Sequence, residues 1–592
     1  MTTHPRVSEP EIPSSEPIFT KALTVVDRSG ADVLIDQWRT EKVVPTKRSD
    51  AVAYTVRAFL TALLCVLLRR SEPTVRTVFR TILDFTPDQL QRVGIDAANL
   101  EPTHEDPVRA LKNFRSWTTR TFECLDPAPD QPARMISVAD HKKIAKARTP
   151  EQIEAYRIAA ERLSIVVNRI VAGSIDPAYA KIGRGDIMVD ETILDTASVE
   201  QLFSGGTDLR GAVYCGGYYR RDKSNQVSQS KTDGPKVKKR GWGLGVTAVS
   251  AIPEPNSLHR RPTLFTGIAI HPPTSGSLEG LDEAVQHHQM NGFDARSSSA
   301  RARWPMLTID MGYLKKGLFD WQVEHRYAAV FTYPKHWNVD SAAIDVNGER
   351  LGPVQLSGNW YCPAAAEISL GRDFVVRLRD VLTKDDWEAR NTRLSDLLPL
   401  LMGLDRRPIV RRDQMGRPTE GDETTEAARM VLVCPAALGN VRCTRWQNEE
   451  TEGRLDLPLV DLPESTPEFR CCTQPTVTAS LTEDQKRLQQ LGPYAPGSFE
   501  HAVYHEAVRS KTEQRFSLLK RRTVAGLGNL NYGARREPMV KITIAAAFAV
   551  VNIGEIERFE AQNAPRPESI KLKFNRLERD LGKPPTRMPK RT

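Results

Sequence analysis

The order of apolar runs between residues 186 and 334 constrains the fold of this chain more than any other feature. Five runs have the length and the β-branched or aromatic composition of strands, and helical patterns fill two of the gaps between them. The strands are predicted at 186–194, 243–252, 262–271, 304–310 and 327–334, and the helices at 277–290 and 313–325. Three strands, a helix, a strand, a helix and a strand predict an α/β fold with a mixed sheet.

The segments on either side of this region have different patterns. Helical periodicity begins near residue 51 and returns strongly at 149–171, which predicts an all-helical N-terminal part that either binds DNA or serves as a scaffold. A long helix follows an insertion rich in Pro, Gly and charge. The predicted division is a disordered lead at 1–20, a helical domain at 21–175, an α/β domain at 176–334 and 499–564, the insertion at 335–498 and a basic disordered tail at 565–592.

Length, charge and cysteine content narrow the class of protein. The 592 residues exceed what one core accommodates, so several domains are expected. A formal net charge of +9 favours a polyanionic partner without identifying one. The start lacks the pattern of a signal peptide, and the longest apolar run, 59–68, is too short to cross a membrane. Eight cysteines in such a chain favour reduced thiols and a cytoplasmic location, with no membrane partner.

Two aspartates stand at the ends of strand-like runs. Asp190 follows the apolar residues 187–189, and Asp310 follows the run 306–309. Carboxylates at the ends of neighbouring strands suit Mg²⁺, which prefers oxygen ligands, and two such ions can drive phosphoryl transfer. A lone Asp at a strand end is more often a turn residue or a cap. Asp186 and Asp195, at the two ends of the first run, compete with Asp190 for the role.

A third acidic residue stands on the long helix after the insertion. In the segment RSKTEQRFSLLK, Arg509, Glu513 and Lys520 are spaced by four and seven residues, which places them on one helix face. An acidic residue between two basic ones suits a site in which the acid binds a metal ion beside an anionic backbone. The alternative is a solvated face with modest ion pairing. Phe516 shares the face and is interpreted as a core residue.

A basic stretch separates the first two predicted strands. Its cations are Arg220, Arg221, Lys223, Lys231, Lys236, Lys238, Lys239 and Arg240, of which the last four are taken as candidates for DNA binding. A loop of this charge can lie along DNA phosphates. The alternative is solvated charge that keeps the protein soluble.

The insertion also contains four cysteines that raise the question of a structural Zn²⁺. They are Cys434, Cys443, Cys471 and Cys472, and Cys362 can replace one of them. The segment has no Cys-x2-Cys pair, and two adjacent cysteines would both have to reach one ion. Ordinary buried thiols are therefore the preferred interpretation.

In its order of features, the chain resembles the ribonuclease-H-like catalytic domain of DDE transposases, and more specifically the cut-and-paste transposases of bacterial insertion sequences. Their signature around the Glu is Tyr-x2-Arg-x3-Glu-x6-Lys; Arg509, Glu513 and Lys520 match its last three elements, and Glu506 stands at the position of the Tyr. An Asp-x-Thr setting of the first carboxylate matches 190–192, and an Asp-x-Gly-Tyr setting of the second matches 310–313. The resemblance covers residues 186–559, including the insertion before the Glu helix.

The resemblance implies an enzyme that cuts and joins DNA. By it, Asp190, Asp310 and Glu513 hold two Mg²⁺ ions, for which Mn²⁺ can substitute, while Arg509 and Lys520 contact DNA phosphates near the ends being cut. It further implies double-stranded DNA as the partner, both as transposon ends and as target, and a homo-oligomer on paired ends. The alternatives are a transposase-derived DNA-binding protein without catalysis and a metal-dependent nuclease of the same fold.

Overall fold

The structure is a computed structural model of the chain. It describes residues 15–41, 54–100, 106–196, 209–222, 237–273, 277–299, 302–315, 317–333, 341–356, 358–368, 384–405, 408–412, 427–446, 453–462, 467–521, 523–527, 530, 533–562 and 569–589. The helices are α1 (Glu16–Ser29), α2 (Ala31–Glu41), α3 (Val56–Leu68), α4 (Val75–Leu83), α5 (Pro87–Arg92), α6 (Pro107–Thr121), α7 (Val138–Lys146), α8 (Pro150–Gly173), α9 (Ser277–Met290), α10 (Leu318–His325), α11 (Lys384–Leu397), α12 (Arg470–Thr473), α13 (Glu483–Arg487), α14 (Phe499–Lys520), α15 (Glu537–Glu560) and α16 (Ser569–Leu581). The strands are β1 (Ile136–Ser137), β2 (Ile187–Asp195), β3 (Leu209–Arg210), β4 (Gly217–Asp222), β5 (Val237–Ala251), β6 (Leu264–His271), β7 (Met306–Ile309), β8 (Ala328–Val330), β9 (Ser341–Ile344), β10 (Arg350–Leu356), β11 (Asn359–Tyr361), β12 (Gly403–Leu404), β13 (Ile409–Val410), β14 (Ala428–Val433), β15 (Arg442–Cys443), β16 (Leu459–Val460) and β17 (Thr476–Leu481).

A mixed sheet forms the centre of this α/β fold. Its strands lie in the order β6–β5–β2–β7–β8, and β4 pairs with the first half of β5. Strands β2, β5 and β6 form an antiparallel meander, whereas β7 runs parallel to β2 and β8 runs parallel to β7. Parallel neighbours require crossover connections, which α9 and α10 provide. The order brings β7 directly beside β2, although the whole meander separates them in the chain.

Helices cover both faces of the central sheet. On one face, α3, α8 and α15 enclose apolar residues of the sheet such as Leu194, Val246 and Phe265. On the other face, α9 and α10 cover residues such as Val189 and Leu307. The N-terminal helices share their buried core with α15 and with the sheet. The sheet is therefore buried on both sides, as its long apolar strands require.

Two buried asparagines form hydrogen bonds with backbone groups on the outer edge of β6. Asn168 of α8 donates to the carbonyl oxygen of Ile268 at 2.9 Å and accepts from its amide at 2.8 Å. Asn552 of α15 makes the same pair of bonds with Phe265, at 2.8 and 2.9 Å. An edge strand otherwise presents unpaired backbone groups, and here two helices pair with them through side chains.

Helix α15 is the one helix among the described residues that is long and apolar enough to cross a membrane. Most of that apolar stretch is buried inside the protein, where Phe548 packs edge-on against Phe265 with ring centroids 4.7 Å apart. The sequence predicts an apolar helix at 540–559 that packs on the sheet, and the structure confirms both features.

The insertion forms a second sheet. Its strands lie in the order β11–β10–β9–β17–β14–β12, with β13 also paired to β14, and all neighbours are antiparallel. The sequence indicates only short strand-like pieces here. Strand β9 pairs with β17, more than 130 residues away in the chain. The local sequence pattern therefore gives little indication that these segments form one sheet.

Two segments expected to be disordered contain helices. Helix α1 begins at Glu16, inside the expected lead, and buries Phe19 and Val26 on one face. Helix α16 lies inside the expected basic tail, where the buried Ile570 and Leu577 stand seven residues apart. In both cases an apolar stripe at helical spacing overrides the polar composition of the segment.

Candidate functional site

The parallel pairing of β2 and β7 brings Asp190 and Asp310 to the same edge of the sheet. Val189 is the register partner of Ile309, and each aspartate is the next residue. Asp190 accepts a hydrogen bond from the amide of Glu191 at 2.8 Å, and Asp310 accepts one from the amide of Met311 at 2.7 Å. Asp310 directly follows β7, whereas Asp190 is the fourth of the nine residues of β2 and lies where the pairing with β7 stops, not at the strand end that the sequence suggests.

Helix α14 lies across the same edge and presents the third carboxylate. Ser498 caps its first turn by accepting from the amide of His501 at 3.2 Å. Its apolar face, including Val503 and Val508, is buried with residues of the central strands. Arg509 and Glu513 therefore lie on the other side of the helix, beside Asp310. The helix ends at Lys520, earlier than the glycines at 526 and 528 that the sequence indicates as its stop.

Arg509 connects the carboxylates. Its two terminal nitrogens donate to the two oxygens of Asp310 at 2.7 and 3.2 Å, and its Nε donates to Oε1 of Glu513 at 3.0 Å. Burial opposes its charge, but the attraction of Asp310, Glu513 and Asp190 outweighs burial and raises the pKa of the guanidinium. The sequence predicts that Arg509 contacts DNA phosphate, but in this structure Arg509 is paired with the site's own acids.

Burial and a neighbouring negative charge make the ionised form of Asp190 unfavourable. Desolvation and the nearby charge of Asp310 raise the pKa of Asp190 to about 7, with a smaller contribution from Glu513. The amide of Glu191 and the charge of Arg509 act in the opposite direction. The influence of both acids on Asp190 shows that the three carboxylates lie within interaction range of one another.

The three carboxylates fit hard divalent cations by chemistry, because all their donor atoms are oxygens. In the described part of the chain, no three His, Cys, Asp and Glu side chains are arranged as a complete ligand set. Here the guanidinium of Arg509 stands among the acids and supplies positive charge to them. Glu513 is 57% exposed, so its side chain has room to move toward the strand ends.

The two competing aspartates have structural partners. Asp186 is fully buried, accepts from the amide of Met306 at 2.7 Å and pairs with Arg303 at 3.2 Å. Asp195 accepts a hydrogen bond from the hydroxyl of Tyr219. Of the three candidate aspartates on or beside β2, Asp190 is therefore the one that lies in the cluster.

The remaining predicted residues of α14 lie at different distances from the cluster. Lys520 ends the helix, roughly 10 Å along its axis from Glu513. Phe516 is buried and stacks on Phe265 with centroids 5.5 Å apart, which confirms the core interpretation. Glu506, at the position of the motif's Tyr, pairs with Lys573 of α16 at 3.3 Å.

Of the basic residues between the first two predicted strands, those that the structure describes form paired strands and not the expected loop. Arg220 and Arg221 belong to β4, and Lys238, Lys239 and Arg240 belong to β5; the register pairs Arg220 with Arg240 and Arg221 with Lys239, and Lys238 lies at an irregularity of the pairing. Strand β5 begins at Val237, earlier than predicted, because the extended pairing with β4 continues through the charged residues. Lys223, Lys231 and Lys236 lie outside the described residues.

A further residue of the site, which the sequence motifs do not single out, is His505, one turn before Arg509 on α14. Its ring is buried directly behind the end of β7, with Nε2 3.5 Å from the carbonyl oxygen of Ile309. Burial and the charge of Arg509 lower its pKa to about 4, so the ring is neutral near pH 7. Its four-residue spacing from Arg509 is the signal that could have identified it.

Comparison with known proteins adds no family assignment: the chain matches no protein-family model and no curated protein sequence.

Proposed function

We propose that this chain is a DNA transposase of an insertion sequence, which cleaves DNA at transposon ends and transfers the strands to target DNA. The observation that carries the proposal is the convergence of Asp190, Asp310 and Glu513, from two strands and a helix, around Arg509. A partly buried acid beside two further acids is costly for the fold, and groups perturbed in this way cluster at functional sites. Acids from three distant segments that meet at one solvent-accessible edge of the sheet are expected in a catalytic site, because such an arrangement does not stabilise the fold.

The strand order supports a ribonuclease-H-like class for the catalytic domain. In the family that the sequence resembles, the first Asp lies on strand one, the second on strand four and the Glu on a helix after strand five and an insertion. When β2, β5, β6, β7 and β8 are counted as strands one to five, the three acids of this chain occupy those positions. The second sheet stands in the place of the insertion.

Asp190, Asp310 and Glu513 would hold two Mg²⁺ ions, or Mn²⁺ in their place. Bound ions supply an activated attacking oxygen and a stabilised leaving oxygen for in-line displacement at phosphorus. Asp190 must first lose its proton, because a ligating carboxylate is deprotonated. Arg509 donates to Asp310 and Glu513 in this structure, and with cations bound to these acids it would be free to make forked hydrogen bonds to DNA phosphate.

The basic hairpin supports DNA as the partner. Its register sets Arg220 opposite Arg240 and Arg221 opposite Lys239. A polyanion such as DNA is the partner that so many basic residues on two neighbouring strands favour. Lys520 would add a further phosphate contact, and we expect the protein to act as a homo-oligomer on paired ends.

The experiment is strand cleavage and strand transfer with Mg²⁺ on DNA that carries the sequences flanking the gene. Wild type is compared with Asp190→Asn, Asp310→Asn and Glu513→Gln. The matched controls are Asp195→Asn on the same strand as Asp190 and Glu506→Gln on the same helix as Glu513. We expect wild type and both controls to cleave and transfer, and each of the three site variants to lose at least about a hundredfold in rate.

Three other results would contradict the proposal, each in a different way. Cleavage without transfer would favour the nuclease. Retained DNA binding with no cleavage would favour the non-catalytic binding protein. Activity that survives Glu513→Gln would remove that residue from the site.

A further inference from the structure

A network of hydrogen bonds lies between α9 and the central sheet, next to the turn that follows β7. The hydroxyl of Tyr313 donates to Oγ1 of Thr247 at 3.3 Å, and the same oxygen lies 2.9 Å from Nε2 of His271. On the other side of the ring, Nδ1 of His271 lies 2.9 Å from the carbonyl oxygen of Pro272. The network therefore joins the turn after β7 to β5 and to the end of β6.

The chemistry of the partners sets the direction of these bonds. A carbonyl oxygen can only accept, so Nδ1 of His271 carries a proton and donates to Pro272. In the neutral ring Nε2 is then an acceptor, and it accepts from the hydroxyl of Thr247. The oxygen of Thr247 is left to accept from Tyr313. Every polar side chain of the network thus has partners in one consistent arrangement.

The middle of the network is shielded from water. Thr247 is fully buried, and Tyr313 is 2% exposed. Helix α9 packs directly on the bond between Thr247 and His271, because a methyl group on Gly280 would lie 2.8 Å from Nε2 of the ring and 3.1 Å from Oγ1. A glycine at this position lets the helix approach so closely. A hydroxyl buried in this way has no water to replace a lost partner, so removing one partner is costly.

Both ends of the bond between Tyr313 and Thr247 lie close to the acids of the site. Asp310 begins the turn that ends at Tyr313, and the amide of Tyr313 donates to the carbonyl oxygen of Asp310 at 3.1 Å. Thr247 is the register partner of Glu191, the residue after Asp190. The bond therefore connects the turn that carries one acid to the strand beside the other acid.

We propose that Tyr313 and Thr247 are positioning residues that hold the turn carrying Asp310 in place for divalent-ion binding. The pairing of β2 with β7 stops one residue before each aspartate, so it does not by itself fix the turn. Asp190 and Asp310 repel each other without metal, which favours movement of an unanchored turn. The inference rests on the proposed function, because it takes the acids as metal ligands. Without the anchor, binding of the ions would also have to order the turn, and affinity would fall.

The test measures Mn²⁺ binding by the full-length protein at pH 8, from the free-ion signal in electron paramagnetic resonance. Thr247→Val removes the hydroxyl at similar size, and Tyr313→Phe removes the other end of the same bond. We expect each variant to bind Mn²⁺ about tenfold more weakly than wild type. The double variant should bind no more weakly than Thr247→Val, because both changes break one bond. Thr247→Ser keeps the hydroxyl and should restore most of the affinity.

The matched control is Thr266→Val, which removes another buried threonine hydroxyl that is bonded to a histidine. Oγ1 of Thr266 lies 2.7 Å from Nδ1 of His288, five residues before His271 on β6. Thr266→Val should lose stability in denaturant unfolding and keep the Mn²⁺ affinity of wild type. In strand cleavage, Thr247→Val should need about tenfold more Mg²⁺ for half of its maximal rate, and saturating Mg²⁺ should restore that rate.

Measuring Asp310→Asn alongside separates this inference from the proposed function. Weaker binding in Asp310→Asn, with unchanged binding in Thr247→Val and Tyr313→Phe, would overturn the inference and leave the proposed function standing. Unchanged binding in Asp310→Asn would contradict the metal site itself, and the inference with it. Equal weakening in Thr266→Val would assign the loss to stability and overturn the inference. If Thr247→Val fails to fold, Tyr313→Phe carries the test.

Discussion

At the scale of single residues, Arg509 decides how three acids can share one edge of the sheet. Its fork on Asp310 and its bond to Glu513 place one positive charge among three negative ones. Asp190 has no such direct bond to Arg509 among those observed, and its pKa of about 7 reflects the burial and repulsion that remain. Asp310 and Glu513 therefore each have a direct bond to the guanidinium, whereas burial and the charge of Asp310 act on Asp190.

Replacing Asp190 tests this imbalance through the pH dependence of stability. The folded carboxyl titrates near 7 and the unfolded one near 3.8, so between these values the folded chain holds a proton that the unfolded chain has released. Wild type should lose stability as pH rises through this window. Asp190→Asn should therefore exceed wild type in free energy of unfolding by about 1–3 kcal/mol at pH 8, with the gain gone near pH 4.

The measurement is denaturant unfolding of both proteins from pH 4 to 8 in the presence of EDTA. A constant difference across this range would show that Asp190 does not titrate within it.

Removing Arg509 should expose the repulsion among the acids. In EDTA, Arg509→Gln should lower the free energy of unfolding by about 1–3 kcal/mol, because the acids lose their counter-charge. Saturating Mg²⁺ should shrink that loss, since a divalent cation replaces the guanidinium. Thermal unfolding with and without Mg²⁺ checks this, with the exposed Arg521→Gln at the end of the same helix as control. An equal loss in both conditions would contradict the role of Arg509.

The residues of the cluster could be named from the sequence, but their pairing could not. Apolar runs that end in Asp190 and Asp310, and the spacing of Arg509 and Glu513, are local patterns. The bond between Arg509 and Asp310 joins residues 199 apart and depends on where α14 crosses the strands. The burial that shifts the pKa of Asp190 comes from the same packing.

At the scale of elements, β6 depends on two side chains for its outer edge. Asn168 and Asn552 pair with backbone groups that would otherwise be buried and unsatisfied. We expect Asn168→Leu and Asn552→Leu each to lower the free energy of unfolding by about 2–4 kcal/mol, because each leaves one donor and one acceptor unpaired. Chemical denaturation measures this, with Asn113→Leu on the exposed face of α6 as control. Losses within experimental error would show that water or other groups satisfy the edge.

The strands of the central sheet are predictable from the sequence because each contains a compact apolar run. Strand β5 was predicted too short, since the pattern of its first residues is charged and only pairing with β4 makes them a strand. The second sheet was missed as a sheet because its pairs, such as β9 with β17, join distant and polar segments. Helices α1 and α16 were missed because composition was given more weight than their spaced apolar residues.

At the scale of the whole molecule, the N-terminal helices, the central sheet and α15 share one core, and the second sheet is inserted between β8 and α14. The insertion therefore separates the Glu helix from the strand ends in sequence without displacing it in space. Folding must position α14 against β2 and β7 across this insertion before the acids meet. A site built in this way exists only in the fully folded chain.

Divalent-ion binding by the three acids is the property on which the proposed cleavage, the proposed strand transfer and the proposed release of Arg509 all depend. We would titrate Mn²⁺ at pH 8 and count free ions by electron paramagnetic resonance, for wild type, Asp190→Asn, Asp310→Asn, Glu513→Gln and the control Asp195→Asn. Wild type and the control should bind Mn²⁺, and each of the three site variants should bind it at least about tenfold more weakly. Undiminished binding in all three variants would show that these carboxylates are not a metal site.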